Sequence, residues 1–151
     1  MRALVQRVTY GSVDIADEKY FASINKGMVI LLGIKTNDSQ EDAIYVADKC
    51  SNLRIFEDDN NKMNLSLLDI KGEALIISQF TLYGDTQKGN RPSFIEAARP
   101  ETAIPLYELF LKQFKDNLGE EKVKCGKFGS MMKVEIHNDG PVTVTVESKQ
   151  K

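Results

Sequence analysis

Three polar segments interrupt sequence that otherwise reads as core: Ser78-Gln79-Phe80-Thr81, Gly89-Asn90-Arg91-Pro92-Ser93-Phe94 and Asn138-Asp139-Gly140-Pro141-Val142-Thr143. Each adjoins a strand-like run, so hydroxyls, amides and a cation stand at strand ends. Ser78 and Thr81 act as nucleophiles only with a base to take the proton, because a free serine or threonine is a poor nucleophile near neutral pH. The single imidazole, His137, precedes the third segment, and one histidine there is more often a strand or surface residue than a triad base. Asp58, Asp59 and Asp139 lie in turn sequence, where carboxylates cap amides and meet water. Acid and base machinery is therefore thin, and the segments are better equipped to position and polarise a substrate. Arg91, with Arg54, Lys62, Lys88 and Arg99, offers cations for phosphate, and Phe80 and Phe94 offer faces for a base to stack on. Each segment alone also has a plain structural reading, since strand-end hydroxyls commonly bond backbone and Gly-Pro commonly makes a turn.

The elements that must hold these residues fit one domain of 151 residues. Hydrophobic residues at 42% and charged residues at 28% exclude a disordered or low-complexity chain. A formal charge of −2 leaves no global field to draw in nucleic acid, so any such contact must be local. Cys50 and Cys125 with one histidine do not make a Cys/His zinc site, and neither a metal nor a cofactor is expected. The longest apolar run, Met28 to Ile34, falls far short of the roughly 20 residues that span a bilayer, so no membrane partner is expected. The opening residues turn polar before a signal-peptide apolar region develops, which reads as a cytoplasmic protein.

Ala3 to Thr9 and Ser12 to Ile15 predict an early strand pair broken at Tyr10-Gly11. Met28 to Ile34 predicts a strand buried on both faces. Ala43, Ile44, Ala47 and Cys50 follow helical spacing, with Ser39 as cap and Asp42 in the first turn. Glu73 to Phe80 predicts a buried strand with a polar end, and Gly84 to Pro92 a loop. Ala103, Ile104, Tyr107, Phe110, Leu111, Phe114 and Leu118 form the strongest helical face, starting from a Thr102 cap and ending at Gly119. Val123–Cys125, Met132–Ile136 and Val142–Val146 close the chain as strands, with a frayed tail from Ser148. Strands outnumber helices without alternating with them. The expectation is an α+β single domain, 1–151, of mixed or antiparallel sheets forming a barrel-like core with two main helices.

Taken together and in order, the three segments resemble D-aminoacyl-tRNA deacylases. The likeness extends to Arg2-Ala3-Leu4-Val5-Gln6-Arg7-Val8, Arg54-Ile55-Phe56 and Lys62-Met63-Asn64-Leu65. It implies a cytosolic homodimer that hydrolyses the ester joining a D-amino acid, or glycine, to the terminal adenosine of tRNA. Ser78, Gln79, Phe80 and Thr81 would line the aminoacyl pocket, Thr81 standing where a nucleophile has been considered. Gly140-Pro141 would be cis and would reach the partner subunit's pocket as a backbone wall that rejects L side chains. Asn138, Val142 and Thr143 belong to that segment, Met132 would line the adenosine site, and Arg91 and Phe94 are candidate tRNA contacts. Water would attack with help from the tRNA 2′-hydroxyl. Two other readings are a non-catalytic tRNA-binding module and a hydrolase of small D-amino acid esters. No DNA partner is expected.

Overall fold

In the computed structural model, which describes residues 1–149, the long first strand organises everything else. β1 (Arg2–Ile15) pairs antiparallel with β3 (Gly27–Gly33) through its first half and with β2 (Tyr20–Ile24) through its second. β8 (Lys133–Glu147) follows β1 antiparallel along almost its whole length, from Arg2 opposite Glu147 to Asp14 opposite Lys133. β6 (Glu73–Ser78) lies parallel to β3, and β7 (Val123–Cys125) parallel to β6. The order is β2-β1-β3-β6-β7, with β8 on β1; β4 (Phe56–Glu57) and β5 (Met63–Leu65) form a separate small hairpin.

Two apolar clusters show how this sheet rolls. On one face, Ala3, Val5, Met28, Ile30, Leu32 and Ile76 pack against α1 (Gln40–Asn52) and α2 (Pro100–Leu118), through Val46, Cys50, Phe110 and Phe114 among others. On the other, Val29, Leu75 and Ile77 meet Val8, Val13, Ile15 and Ile24. The second half of β1 is thus folded over the sheet that its first half belongs to, and the mixed sheet nearly closes into a barrel with two helices outside. Alternation explains why the Met28–Ile34 run is apolar throughout: even positions face the helices and odd positions the barrel interior.

Ser39 caps α1 as its spacing predicts, accepting from the Asp42 amide while the Asp42 carboxylate accepts from the Ser39 amide at 2.8 Å. The two helices are pinned together by Asp48, whose Oδ1 accepts from Gln113 Nε2 at 2.8 Å and Asn117 Nδ2 at 2.9 Å.

The structure corrects four expectations. The predicted break at Tyr10-Gly11 is no turn; β1 runs through it and bends, with register irregularities against β8 between Gln6 and Tyr10. Gly11 permits this by close packing, since a Cβ there would stand 2.7 Å from Val29 Cγ2. The two strands expected at 132–136 and 142–146 are one strand carrying an excursion. α2 begins at Pro100 after Arg99, not at Thr102, because proline at the first helical position has its φ already set and needs no amide partner. Pro105 is then the sixth helical residue, beyond the free first turn, and leaves the Glu101 carbonyl without its helical amide donor. Ser148 is not frayed: its amide donates to Met1 O at 2.9 Å and its hydroxyl accepts from the Met1 amino group at 2.8 Å. The rest of the predicted tail beyond Lys149 lies outside the described residues. Among the described residues no helix is long and apolar enough to cross a membrane.

Candidate active site

Parallel strands all leave a sheet at the same end, so the segments following β3, β6 and β7 converge. Between them lies a cavity of about 330 Å³. Leu32 and Ile34 form its floor, Ile77, Ser78, Gln79 and Phe80 one wall, and Phe128 to Met132 the facing wall. Ala98 and Ala103, before and at the start of α2, close it with small side chains.

The Ser78 wall is set by backbone. Gln79 continues the parallel ladder, its amide donating to Leu32 O at 2.7 Å, and Phe80–Tyr83 then makes a single 3₁₀ turn. Gly84 N donates to Thr81 O at 3.0 Å to close it. As the first residues of the turn, Phe80 and Thr81 present amides that the turn itself does not use. The Gln79 side-chain amide donates to Thr81 Oγ1. Phe80 is largely exposed and meets Phe94 edge-on, with ring centroids 5.2 Å apart. Asp85 and Ser93 pair through both backbone bonds, 2.7 and 2.9 Å, so Phe94 is returned to Phe80 while Lys88 and Arg91 are carried out on the exposed tip.

The facing wall hangs from β7. Gly126 N donates to Ile76 O at 3.1 Å, and Met132 packs so closely on Gly126 that a Cβ there would stand 2.4 Å from its sulfur. Phe128 leans on Tyr107, whose hydroxyl donates to Ile76 O at 3.1 Å. Burial pushes the Tyr107 phenol well above its ordinary range, so it stays a donor. Glu18 ties the wall down from outside, accepting from Ser130 Oγ at 3.1 Å.

None of the described residues lining this cavity is ionisable; its polar side chains are Ser78, Gln79 and Ser130. His137 stands elsewhere, 3.6 Å from Glu135 on β8 and against the Tyr10 ring.

The third segment is built on β8. Gln6 faces Thr143 and Val8 faces Asn138, so four residues, Asp139 to Val142, loop out opposite the single residue Arg7. Asn138 closes the neck: its Nδ2 donates to Thr143 Oγ1 at 2.9 Å and its Oδ1 accepts from Val142 N at 3.0 Å. Arg7, 7% exposed, fills the gap, donating from Nε to Asp139 O at 3.1 Å and from Nη1 to Ile55 O at 2.9 Å. Gly140 has φ +127° with Arg7 Nη2 3.1 Å from where its Cβ would stand, and the Gly140-Pro141 bond is cis. Both residues are exposed, and the loop does not line the cavity of its own chain.

The structure therefore brings Ser78, Gln79, Phe80 and Met132 to one cavity, with Thr81 and Phe94 attached through Gln79 and Phe80. It leaves Arg91 and the segment of Asn138, Gly140, Pro141, Val142 and Thr143 apart from it. Sequence reasoning missed Arg7 as the support of that segment. The signal was present: along β1 the inward positions run Ala3, Val5, Arg7, a cation where alternation calls for an apolar residue.

The chain matches the family model described as D-Tyr-tRNA(Tyr) deacylase over residues 4–147. It is 53% identical over 151 residues to the D-aminoacyl-tRNA deacylase of Flavobacterium psychrophilum, covering 100% of this chain and 99% of the relative. It is 56% identical to that of Clostridium beijerinckii, with 99% of each chain covered. Among solved structures it superposes on a "c-Myc DNA Unwinding Element Binding Protein" with a TM-score of 0.92 at 41% identity, covering 99% of this chain and 100% of that one. A structure titled "Structural Analysis of a probable eukaryotic D-amino acid tRNA deacylase" superposes at 0.86 with 17% identity over 97% and 98% of the two chains, which is a likeness of fold. With a family model spanning nearly its whole length and full-length relatives above half identity, the chain belongs to the D-aminoacyl-tRNA deacylase family, hydrolases acting on ester bonds.

Proposed function

We propose that this protein hydrolyses the ester of D-aminoacyl-tRNA, and of glycyl-tRNA, while sparing the L esters, and that it works in the cytoplasm as a homodimer. The observation that carries the reading is the cavity without an ionisable lining side chain. Such a site suits a substrate that is already activated, as an aminoacyl ester is, and that brings its own hydroxyl.

In this reading the terminal adenosine stacks toward Phe80 and Met132, and the Ser78 and Gln79 polar groups hold the aminoacyl amino group and ester. Water attacks the ester carbon with its proton passing by way of the tRNA 2′-hydroxyl. The Phe80 and Thr81 amides receive the developing oxyanion, and the bond to the 3′-oxygen breaks, giving free amino acid and tRNA. Thr81 positions Gln79 and does not attack. Arg91 and Phe94 meet the tRNA beyond the adenosine.

The Gly140-Pro141 loop of a second subunit completes the pocket. Its exposure and its absence from its own chain's cavity support delivery in trans. Arg7 and the Asn138 clamp make the loop a rigid wall. With the amino group and ester anchored, exchanging hydrogen and side chain at Cα drives an L side chain into that wall. A D side chain points outward, and glycine has nothing to collide.

The test compares D-tyrosyl-, L-tyrosyl- and glycyl-tRNA at substoichiometric protein, with wild type and Gly140→Ala. Rapid loss of the D ester and of glycine with the L ester intact is expected. In the variant the new Cβ meets Val142 Cγ2 at 2.9 Å at a φ that L residues rarely adopt, so the wall shifts and discrimination between D and L esters falls. Binding of tRNA without cleavage of any ester would put a non-catalytic tRNA-binding module in its place. Equal cleavage of free D-tyrosine esters would make it a small-ester hydrolase.

A further inference from the structure

The turn that carries the proposed site residues is held from outside the cavity by one guanidinium. Arg2 Nη1 donates to Leu82 O at 2.8 Å, inside the Phe80–Tyr83 turn, while Nε of the same group donates to Glu147 Oε1 at 2.6 Å on β8. The guanidinium lies over the Tyr83 ring, 5.0 Å from its centroid, and Tyr83 is buried beneath it. Arg2 and Tyr83 line a separate polar cavity of about 450 Å³, and Arg2 does not reach the one lined by Gln79.

An exposed Arg–Glu pair contributes little stability by itself, and here the side chains are 38% and 53% exposed. The arrangement has a different use. The next amide along, Asp85 N, is committed to Ser93 O, so the donor on the Leu82 carbonyl is the guanidinium. Across the ladder from Arg2 stands Gly33, the last residue of β3. A Cβ on Gly33 would stand 3.1 Å from Leu82 Cβ, 3.2 Å from Gln79 O and 3.2 Å from Tyr83 Cδ2, so the turn rests directly on bare backbone there. The register pair Arg2 and Gly33 thus forms a seat: one contributes a surface without a side chain, the other a planar fork that ties the turn to β8.

We infer that Arg2 is a positioning residue for the deacylation, fixing the Phe80–Tyr83 turn against Gly33 and so fixing the Gln79 side chain and the turn's first amides. This rests on the pocket reading above. A lysine keeps the charge and can donate to either group, but it lacks the planar fork whose two separated nitrogens meet the Glu147 carboxylate and the Leu82 carbonyl.

Single-turnover hydrolysis of D-tyrosyl-tRNA over a range of excess protein separates limiting rate from half-saturating concentration. Arg2→Met is expected to lower the limiting rate about ten- to a hundredfold with little change in half-saturation, since small misplacements of positioning groups act on the chemical step. Arg2→Lys is expected to regain part of it. Gly33→Ala pushes the same turn from the other side without touching the ion pair and should show the same split, which covers the case in which Arg2→Met folds poorly. A limiting rate near wild type in both Arg2→Met and Gly33→Ala overturns the inference, as does a change confined to half-saturation. Gln79→Ala distinguishes the two readings: full rate there overturns the pocket assignment, whereas loss there with full rate in Arg2→Met and Gly33→Ala overturns only the role of Arg2.

Discussion

Replacing Arg7 by methionine tests whether a buried cation, rather than the loop's own sequence, holds residues 139–142 in place. The side chain is nearly enclosed and donates to two carbonyls, Ile55 O at 2.9 Å and Asp139 O at 3.1 Å, with the half-exposed Asp139 carboxylate 3.6 Å away. Hydrogen bonds from a charged donor contribute about 1.5–3 kcal/mol each, so the gross loss is about 3–6 kcal/mol. Methionine recovers part of this, because it fills similar volume and no charge remains to be desolvated. We therefore expect a net loss of about 3 kcal/mol, the lower end of that range. For a chain of this length that is a fall in Tm of about 6–12 °C. Arg7→Lys keeps the charge but reaches one carbonyl, and should fall between. Differential scanning calorimetry on the three proteins checks both values. A Tm for Arg7→Met within about 2 °C of wild type would refute the reasoning, because the two carbonyls would then be served as well without the guanidinium.

Gly27→Ala is expected to cost more than about 3 kcal/mol or to abolish soluble expression, since its Cβ would stand 1.8 Å from Glu73 O at the start of the β3–β6 ladder; a Tm near wild type refutes this. Burial pushes the Cys50 thiol from 9.0 up to about 12. The folded chain therefore keeps a proton that the unfolded chain releases, and stability is lost as pH rises above about 9, by about 1.4 kcal/mol per unit. Chemical unfolding at rising pH should show a steeper fall in wild type than in Cys50→Ala, the Cys125 thiol and the Tyr83 and Tyr107 phenols, also pushed up by burial, keeping the rest of the slope in both; identical slopes refute this. Thr81→Ala, losing an exposed hydroxyl held by Gln79, should keep its single-turnover deacylation rate within about tenfold, while near-complete loss would make Thr81 a nucleophile.

Elements decided by local pattern were legible in the sequence. The Ser39 cap, the Gly119 end of α2, with φ +103°, and the strand at 73–78 follow from residue types a few positions apart. So did the clustering of Ser78, Gln79 and Phe80 at a strand end. What escaped was decided by partners far along the chain. Tyr10-Gly11 looks like a turn until β8 and Val29 are in place to make it a bend, and 138–141 looks like a connection until β1 runs past both ends of it. Arg7 shows its purpose only when Ile55 and Asp139, remote in sequence, supply their carbonyls. The cis Gly140-Pro141 bond follows from the resemblance and not from periodicity, which reads the segment only as a loop.

The cavity's walls hang from three different strands at one end of a parallel ladder, and this bears on how such a site changes over time. β3, β6 and β7 are held in register by their own hydrogen bonds, upstream of every lining segment. A substitution or insertion between Phe128 and Met132 leaves the ladder under Ser78 untouched, and the reverse holds too. Each wall is thus a separately adjustable part, and one side of the cavity can drift while the other stays fixed.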